Sequence, residues 1–146
     1  MKNPIYFILT LLLLVSCSNN DDGRLGNPNI PNFAFDTGTL INISLPQYSV
    51  LQFPGNYIIL DQYGVNGVVL YSSGTTFSAF ELSDPNHQLN TCSLLTVAGV
   101  IATCNCDDGN SYNILNGAQQ EGTSGQYGLV PYAVEVSGTI IRVFNN

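Results

Sequence analysis

Turn residues arrive too often in this chain for long helices to form. From Thr39 onward, Gly, Pro and Asn interrupt the sequence every eight to twelve residues, and short runs of Val, Ile, Tyr and Phe lie between them. No ten-residue stretch keeps apolar residues on a 3.6 period, so amphipathic helices are excluded as the main element. The pattern predicts an all-β domain with strands at Thr39–Ser44, Tyr57–Gln62, Val65–Ser72, Thr76–Leu82, Cys92–Val97, Val100–Cys104, Ser111–Ile114, Ala133–Val136 and Thr139–Phe144. Ser49–Phe53 has room for one helical turn. Two hairpins stand out. Tyr132–Val136 meets Thr139–Phe144 through Ser137-Gly138, where glycine accepts a positive φ. Cys92–Val97 meets Val100–Cys104 near Ala98-Gly99. A turn centred on Ala98 sets Cys92 opposite Cys104, and opposed residues of a non-hydrogen-bonded pair stand about 4.5 Å apart, within reach of a disulfide.

The N-terminus has a different character. Lys2 precedes the apolar run Ile5–Val15, which ends in Leu14-Val15-Ser16-Cys17. Charge, short apolar core and small-residue cleavage site make a secretory signal over residues 1–16. Eleven residues are too few to cross a hydrocarbon core of about 30 Å as a helix. The terminal four residues form a lipobox, which makes Cys17 the expected lipidation site and the membrane the expected partner. The address that follows is the bacterial cell envelope, lipid-anchored at the outer membrane and facing the periplasm or the surface. Stable anchoring needs more than one acyl chain. Residues 17–37 follow as a flexible tether, because Ser18–Pro31 is polar, contains Gly and Pro, and has no period. The domain is then expected over residues 38–146.

Charge narrows the function further. After cleavage only Arg24 and Arg142 stand against ten carboxylates, a net charge near −8. Nucleic-acid binding needs cations to displace counterions, so it is excluded. Three cysteines remain once Cys17 carries lipid: Cys92, Cys104 and Cys106. An oxidising compartment allows one disulfide among them and leaves one thiol over. Catalysis finds little support. His87 is the only histidine, and no Gly-x-Ser-x-Gly elbow accompanies it. Asp107-Asp108-Gly109-Asn110-Ser111 reads as a turn, since no Glu closes it as a calcium loop. The chain is expected not to be an enzyme. Tyr127, between Gly125 and Gly128, is expected to be exposed and available for interaction.

An ordered set of pieces runs from Phe77 to Val143. It comprises Phe77-Ser78-Ala79-Phe80-Glu81, Asp84-Pro85-Asn86, seventeen intervening residues, and Cys104-Asn105-Cys106-Asp107. Then follow Asn116-Gly117, Glu121-Gly122, Leu129-x-x-Tyr132-x-Val134 and Gly138-x-Ile140-x-x-Val143. This set resembles the Rieske [2Fe–2S] domain superfamily, and the run Leu45–Gly55 is similar to the start of its lipoprotein members. The resemblance implies a Rieske-like antiparallel β-sandwich with a small inserted cluster-binding-type subdomain, the tip, over about residues 80–125. In that family two Cys and two His hold the two irons. Here the ligand positions carry Asp84, Asn86, Cys104 and Asp107, so only one ligand residue survives. The family pattern also pairs the cysteine two after the second-loop ligand with one from the first loop, which implies Cys92 with Cys106. The hairpin register instead implies Cys92 with Cys104.

Either pairing leaves too few thiolates for a cluster. The expected function is therefore a non-enzymatic binding or scaffold module without cofactor, contacting an envelope protein through its tip. Two other readings stand beside it. One is electron transfer through a [2Fe–2S] cluster with unusual ligands. The other is a mononuclear metal held by Asp84, His87 and Asp107 at the tip.

Overall fold

The structure is a computed structural model, and it describes residues 26–146. The expected signal peptide and Cys17, the expected lipidation site, lie outside the described residues. The described chain is all-β, with ten strands: β1 Phe35–Asp36, β2 Ile41–Asn42, β3 Tyr57–Leu60, β4 Val68–Ser72, β5 Phe77–Glu81, β6 Leu95–Ala98, β7 Ile101–Cys104, β8 Ser111–Asn113, β9 Pro131–Ser137 and β10 Ile140–Asn145. Its single helix is a 3₁₀ turn, Pro46–Gln52, longer than the one helical turn expected. Proline at its start needs no amide partner there. Leu51 anchors the turn in the core.

Every strand pair is antiparallel. Six strands form one hydrogen-bonded path, β1-β10-β9-β5-β4-β3, and β2, off the path on β10, makes the sheet seven-stranded. The two layers expected for the base are the two halves of this path, which share β9. Their inner faces enclose Ile41, Ile141 and Val143 from one half and Leu60, Val68, Leu70 and Ala79 from the other. The remaining strands form a second sheet, β6-β7-β8, which is the tip.

Strand β4 explains why the two sheets form one body. All five of its residues are buried. Alternate side chains point to opposite faces of a strand. Val68 and Leu70 therefore enter the base core, while Val69 and Tyr71 enter a second core with Leu95, Ala102, Tyr112 and Ile114 of the tip. The continuous apolar run at Val68–Tyr71 marks a strand covered on both faces. Tyr57 donates through its hydroxyl to the Val97 carbonyl at 3.2 Å, and Ser78 Oγ donates to the Ile114 carbonyl at 3.0 Å. These bonds fix the tip on the base.

Both expected hairpins form. Gly138 (φ 60°) and Gly99 (φ 62°) each take the first position of a two-residue loop, as a type II′ turn requires. The second hairpin corrects the expected register. Ala98 pairs with Ile101, so the turn is Gly99-Val100, and Leu95 rather than Cys92 faces Cys104. The tether expected to reach residue 37 also ends earlier. Ile30 and Thr37 are buried, β1 pairs with β10, and Asn27 and Asn29 both donate to the Pro85 carbonyl. Its polar composition concealed a segment that binds through side-chain amides.

The doubly covered ribbon makes a clear prediction. Leu70→Ala should cost about 2–5 kcal/mol, the range for emptying a packed core site. Val136→Ala, on an exposed position of β9, should stay within about 0.5 kcal/mol. Urea unfolding followed by tyrosine fluorescence measures both.

Candidate functional site: a hydrogen-bonded tip

Three loops converge where the sequence places the ligand positions. The first follows β5 and carries Asp84 and Asn86. The second follows β7 and carries Cys104 to Asn110. The third, residues 123–127, precedes β9.

Asp84 is fully buried, yet it faces no cation; the ion pairs among the described residues belong to Arg142, with Asp36 and Glu135. Hydrogen bonds hold its carboxylate instead. Oδ1 accepts from the Tyr112 hydroxyl at 2.5 Å and from the Asn86 amide at 2.8 Å. Oδ2 accepts from Asn110 Nδ2 at 2.9 Å. Asn86 is equally committed. Its Nδ2 donates to Tyr112 Oη at 3.0 Å and to the Tyr127 carbonyl at 2.7 Å. Its Oδ1 accepts from the amides of Gln126 at 3.0 Å and Tyr127 at 2.9 Å. A carboxamide offers two donors and two acceptor lone pairs, and all are used. Asn110 extends the network, because its Oδ1 accepts from Ser124 N and Oγ. Gly125 is required at this place. It has φ 101°, and a Cβ there would overlap the Asn86 carboxamide.

Electrostatics follow from the burial. Burial and then the Asp84 carboxylate push the Tyr112 hydroxyl well above its ordinary range, so it stays a donor. Burial likewise pushes the Cys104 thiol up to about 12, with the carboxylates of Asp84 and Asp108 adding to the rise. Glu81, three residues earlier at the end of β5, repeats the arrangement. Tyr132 Oη and the Val65 amide donate to its Oε2, and Ser83 Oγ and the Asn66 amide donate to its Oε1. No buried side-chain polar atom among the described residues lacks a partner.

A disulfide closes the first two loops. Cys92 pairs with Cys106, their Cα atoms 4.9 Å apart, and Cys104 is the free, buried cysteine. The alternative Cys92–Cys104 pairing is corrected for a geometric reason. The turn sits further along than Ala98, which carries Cys92 past the end of the ladder and towards Cys106. Cross-linking a loop of this size stabilises the fold by about 3 kcal/mol.

The expected metal trio does not assemble. Asp84 points inward to Tyr112 and Asn110, Asp107 is exposed, and the His87 ring turns to the Gln88 carbonyl at 2.9 Å. Among the described residues the groupings of metal-type side chains are His87 with Cys92 and Cys106, and Cys104 with Cys106 and Asp108. Tyr127 is half-buried rather than exposed, and its backbone is tied to Asn86 and Gln119. The residues that sequence reasoning missed are Asn110, Tyr112 and Ser124. Asn110 lies in the stretch read as a turn, Tyr112 in an expected strand. Tyr112 and Asn110 gain a role by converging on Asp84, and Ser124 by bonding Asn110.

The four positions that the resemblance sets against cluster ligands, Asp84, Asn86, Cys104 and Asp107, do not fit a [2Fe–2S] cluster. They supply one neutral thiol, one saturated carboxamide, one buried carboxylate already holding three donors, and one exposed carboxylate. Two thiolates and two imidazoles are needed.

Fold and site together define an all-β domain with a disulfide-closed, hydrogen-bonded tip. Among solved structures, the chain is similar to one in the complex of reduced oxygenase and oxidized ferredoxin in carbazole 1,9a-dioxygenase. The TM-score is 0.42 and the identity 24%, over 62% of this chain and 82% of that one. No family model and no curated protein matches the sequence.

Two outcomes are expected. Tyr112→Phe should cost about 1–3 kcal/mol in urea unfolding, because it leaves Asp84 Oδ1 short of a donor and Asn86 Nδ2 short of an acceptor. Raising pH should also destabilise the domain. The folded state favours the neutral Cys104 thiol, so this stabilisation is complete below the unfolded pKa of 9.0 and is lost as pH rises towards about 12. Unfolding midpoints at pH 8 and pH 11 measure it, and Cys104→Ser should lessen the fall.

Proposed function

We propose that this chain is a lipid-anchored protein of the bacterial cell envelope. Its Rieske-like domain works without a [2Fe–2S] cluster, as a binding or scaffold module that presents its tip to an envelope partner. It is not an enzyme in this reading. The observation that carries the reading is the state of Asp84 and Asn86. Each residue stands at a position that the resemblance sets against a cluster ligand, and each is engaged in closing the tip: Asp84 accepts three hydrogen bonds, and the Asn86 carboxamide is saturated. An Asp–Tyr–Asn network performs the structural task that a cluster performs in the family the sequence resembles: it ties opposed loops together. The Cys92–Cys106 disulfide reinforces the same loops and suits an oxidising compartment. The lipobox at Leu14–Cys17 supports the address. The scarcity of cations supports a protein partner over nucleic acid.

Two measurements on the full chain test this. Radiolabelled palmitate should enter the wild type and not Cys17→Ser, and Cys17→Ser should leave the membrane fraction. The purified protein should be colourless and free of stoichiometric iron and sulfide. A red-brown protein with iron and sulfide in equal amounts would instead establish electron transfer.

A further inference from the structure

The tip holds a second constellation, distinct from the ligand positions of the family pattern. A ring nitrogen of His87 and the sulfurs of Cys92 and Cys106 all lie within 4.8 Å of one another. We infer that reduction of the Cys92–Cys106 disulfide converts this group into a zinc site with His87, Cys92 and Cys106 as ligands.

The local structure prepares each ligand. Asn90 Oδ1 accepts from the amides of Cys92 at 2.8 Å and Ser93 at 3.0 Å, so an Asx turn holds Cys92 in place whether or not the disulfide is present. The half-buried Cys106 sits on a second loop, and its amide approaches Cys104 Sγ at 3.4 Å, which fixes its backbone independently. His87 Nδ1 lies 2.9 Å from the Gln88 carbonyl, a contact that needs the proton on Nδ1. Nε2 then keeps its lone pair for a metal, and the carbonyl orients the ring, as it does behind metal-bound histidines in general. The longer 3.4 Å approach of Asn90 Nδ2 to the same Nδ1 is then no hydrogen bond. Residues 88–91 are exposed, so the sulfurs can separate without disturbing the core.

The chemistry balances. A dithiol reductant delivers two electrons and two protons, the S–S bond breaks, and the reductant leaves as its own disulfide. Zn²⁺ then displaces the two thiol protons and binds two thiolates and one imidazole, with water in the fourth position. Two thiolates with one imidazole select zinc over hard cations such as Mg²⁺ or Ca²⁺. A disulfide oxidant reverses the process: it takes two electrons from the thiolates and two protons from water, leaves as its dithiol, and the re-formed Cys92–Cys106 bond expels the metal. The site is therefore gated by redox state. It is independent of lipidation and of the cluster question.

Co²⁺, a spectroscopic substitute for Zn²⁺, is the probe, added anaerobically to the full chain carrying Cys17→Ser. After dithiol reduction the protein should bind one equivalent, with a thiolate-to-cobalt charge-transfer band that added Zn²⁺ abolishes. The oxidised protein should show no such band. His87→Ala should weaken binding by about tenfold or more, by analogy with the loss of a metal-site partner, while Cys104→Ser, whose hydroxyl can still accept from the Cys106 amide, should retain it. Equal binding by the oxidised protein or by His87→Ala would overturn the proposal. So would loss of binding in Cys104→Ser alone. Near-UV circular dichroism guards against unfolding on reduction. A reduced protein that loses its native signal and does not regain it with Zn²⁺ would also overturn it.

Discussion

The tip depends on one buried carboxylate. Asp84 buries a carboxylate where none of the described residues pairs it with a cation, and burying an unpaired charge is among the costliest acts in folding. The surrounding loops are arranged to meet that cost. Tyr112 rises from β8, Asn110 turns in from the loop before it, and the Asn86 amide doubles back on its own neighbour. Remove the carboxylate and three donors lose their common acceptor. Asn86 and Asn110 then pass the constraint to residues 124–127. Asp84 thus acts with the disulfide and the β5–β9 pairing to set the relative positions of the three loops.

The ribbon of β4 and β5 makes that geometry possible. It is covered on one face by the curled base and on the other by the tip, so the tip sits on a rigid floor. Gly117, at φ 74°, lets the backbone press against the Phe80 ring, where a side chain would collide. The disulfide and the hydrogen-bond network act on the same loops: Cys92–Cys106 joins the first two covalently, and Asp84 ties them through Tyr112 and Asn110. Cys104 lies between the disulfide and Asp84 as a neutral thiol. Its raised pKa makes it a poor nucleophile and suits a packing role.

Much of the fold was legible because β-proteins announce their turns. Gly99 and Gly138 marked both hairpins, and the apolar run at Val68–Tyr71 marked the central strand. The hairpin register was missed by the placement of one turn. Moving it from Ala98 to Gly99-Val100 changed which cysteine could reach Cys92, and a single sequence holds no second signal to correct it. The family pattern, which orders the cysteines by loop, favoured Cys106. The packed segment at residues 27–37 was hidden by its polarity, since side-chain amides bonding to the Pro85 carbonyl look like tether residues. In the site, Asp84 and Asn86 were visible as positions but not as partners. Hydrogen bonds between residues 26 and 41 positions apart leave no periodic trace.

Amide hydrogen exchange on Asp84→Ala, compared with the wild type, tests the central claim most directly. If one carboxylate closes the tip, exchange should accelerate together in residues 84–90, 104–110 and 123–127, while β4, β9 and β10 keep their protection. Acceleration confined to the residues adjoining position 84, with the other two loops still protected, would contradict the account.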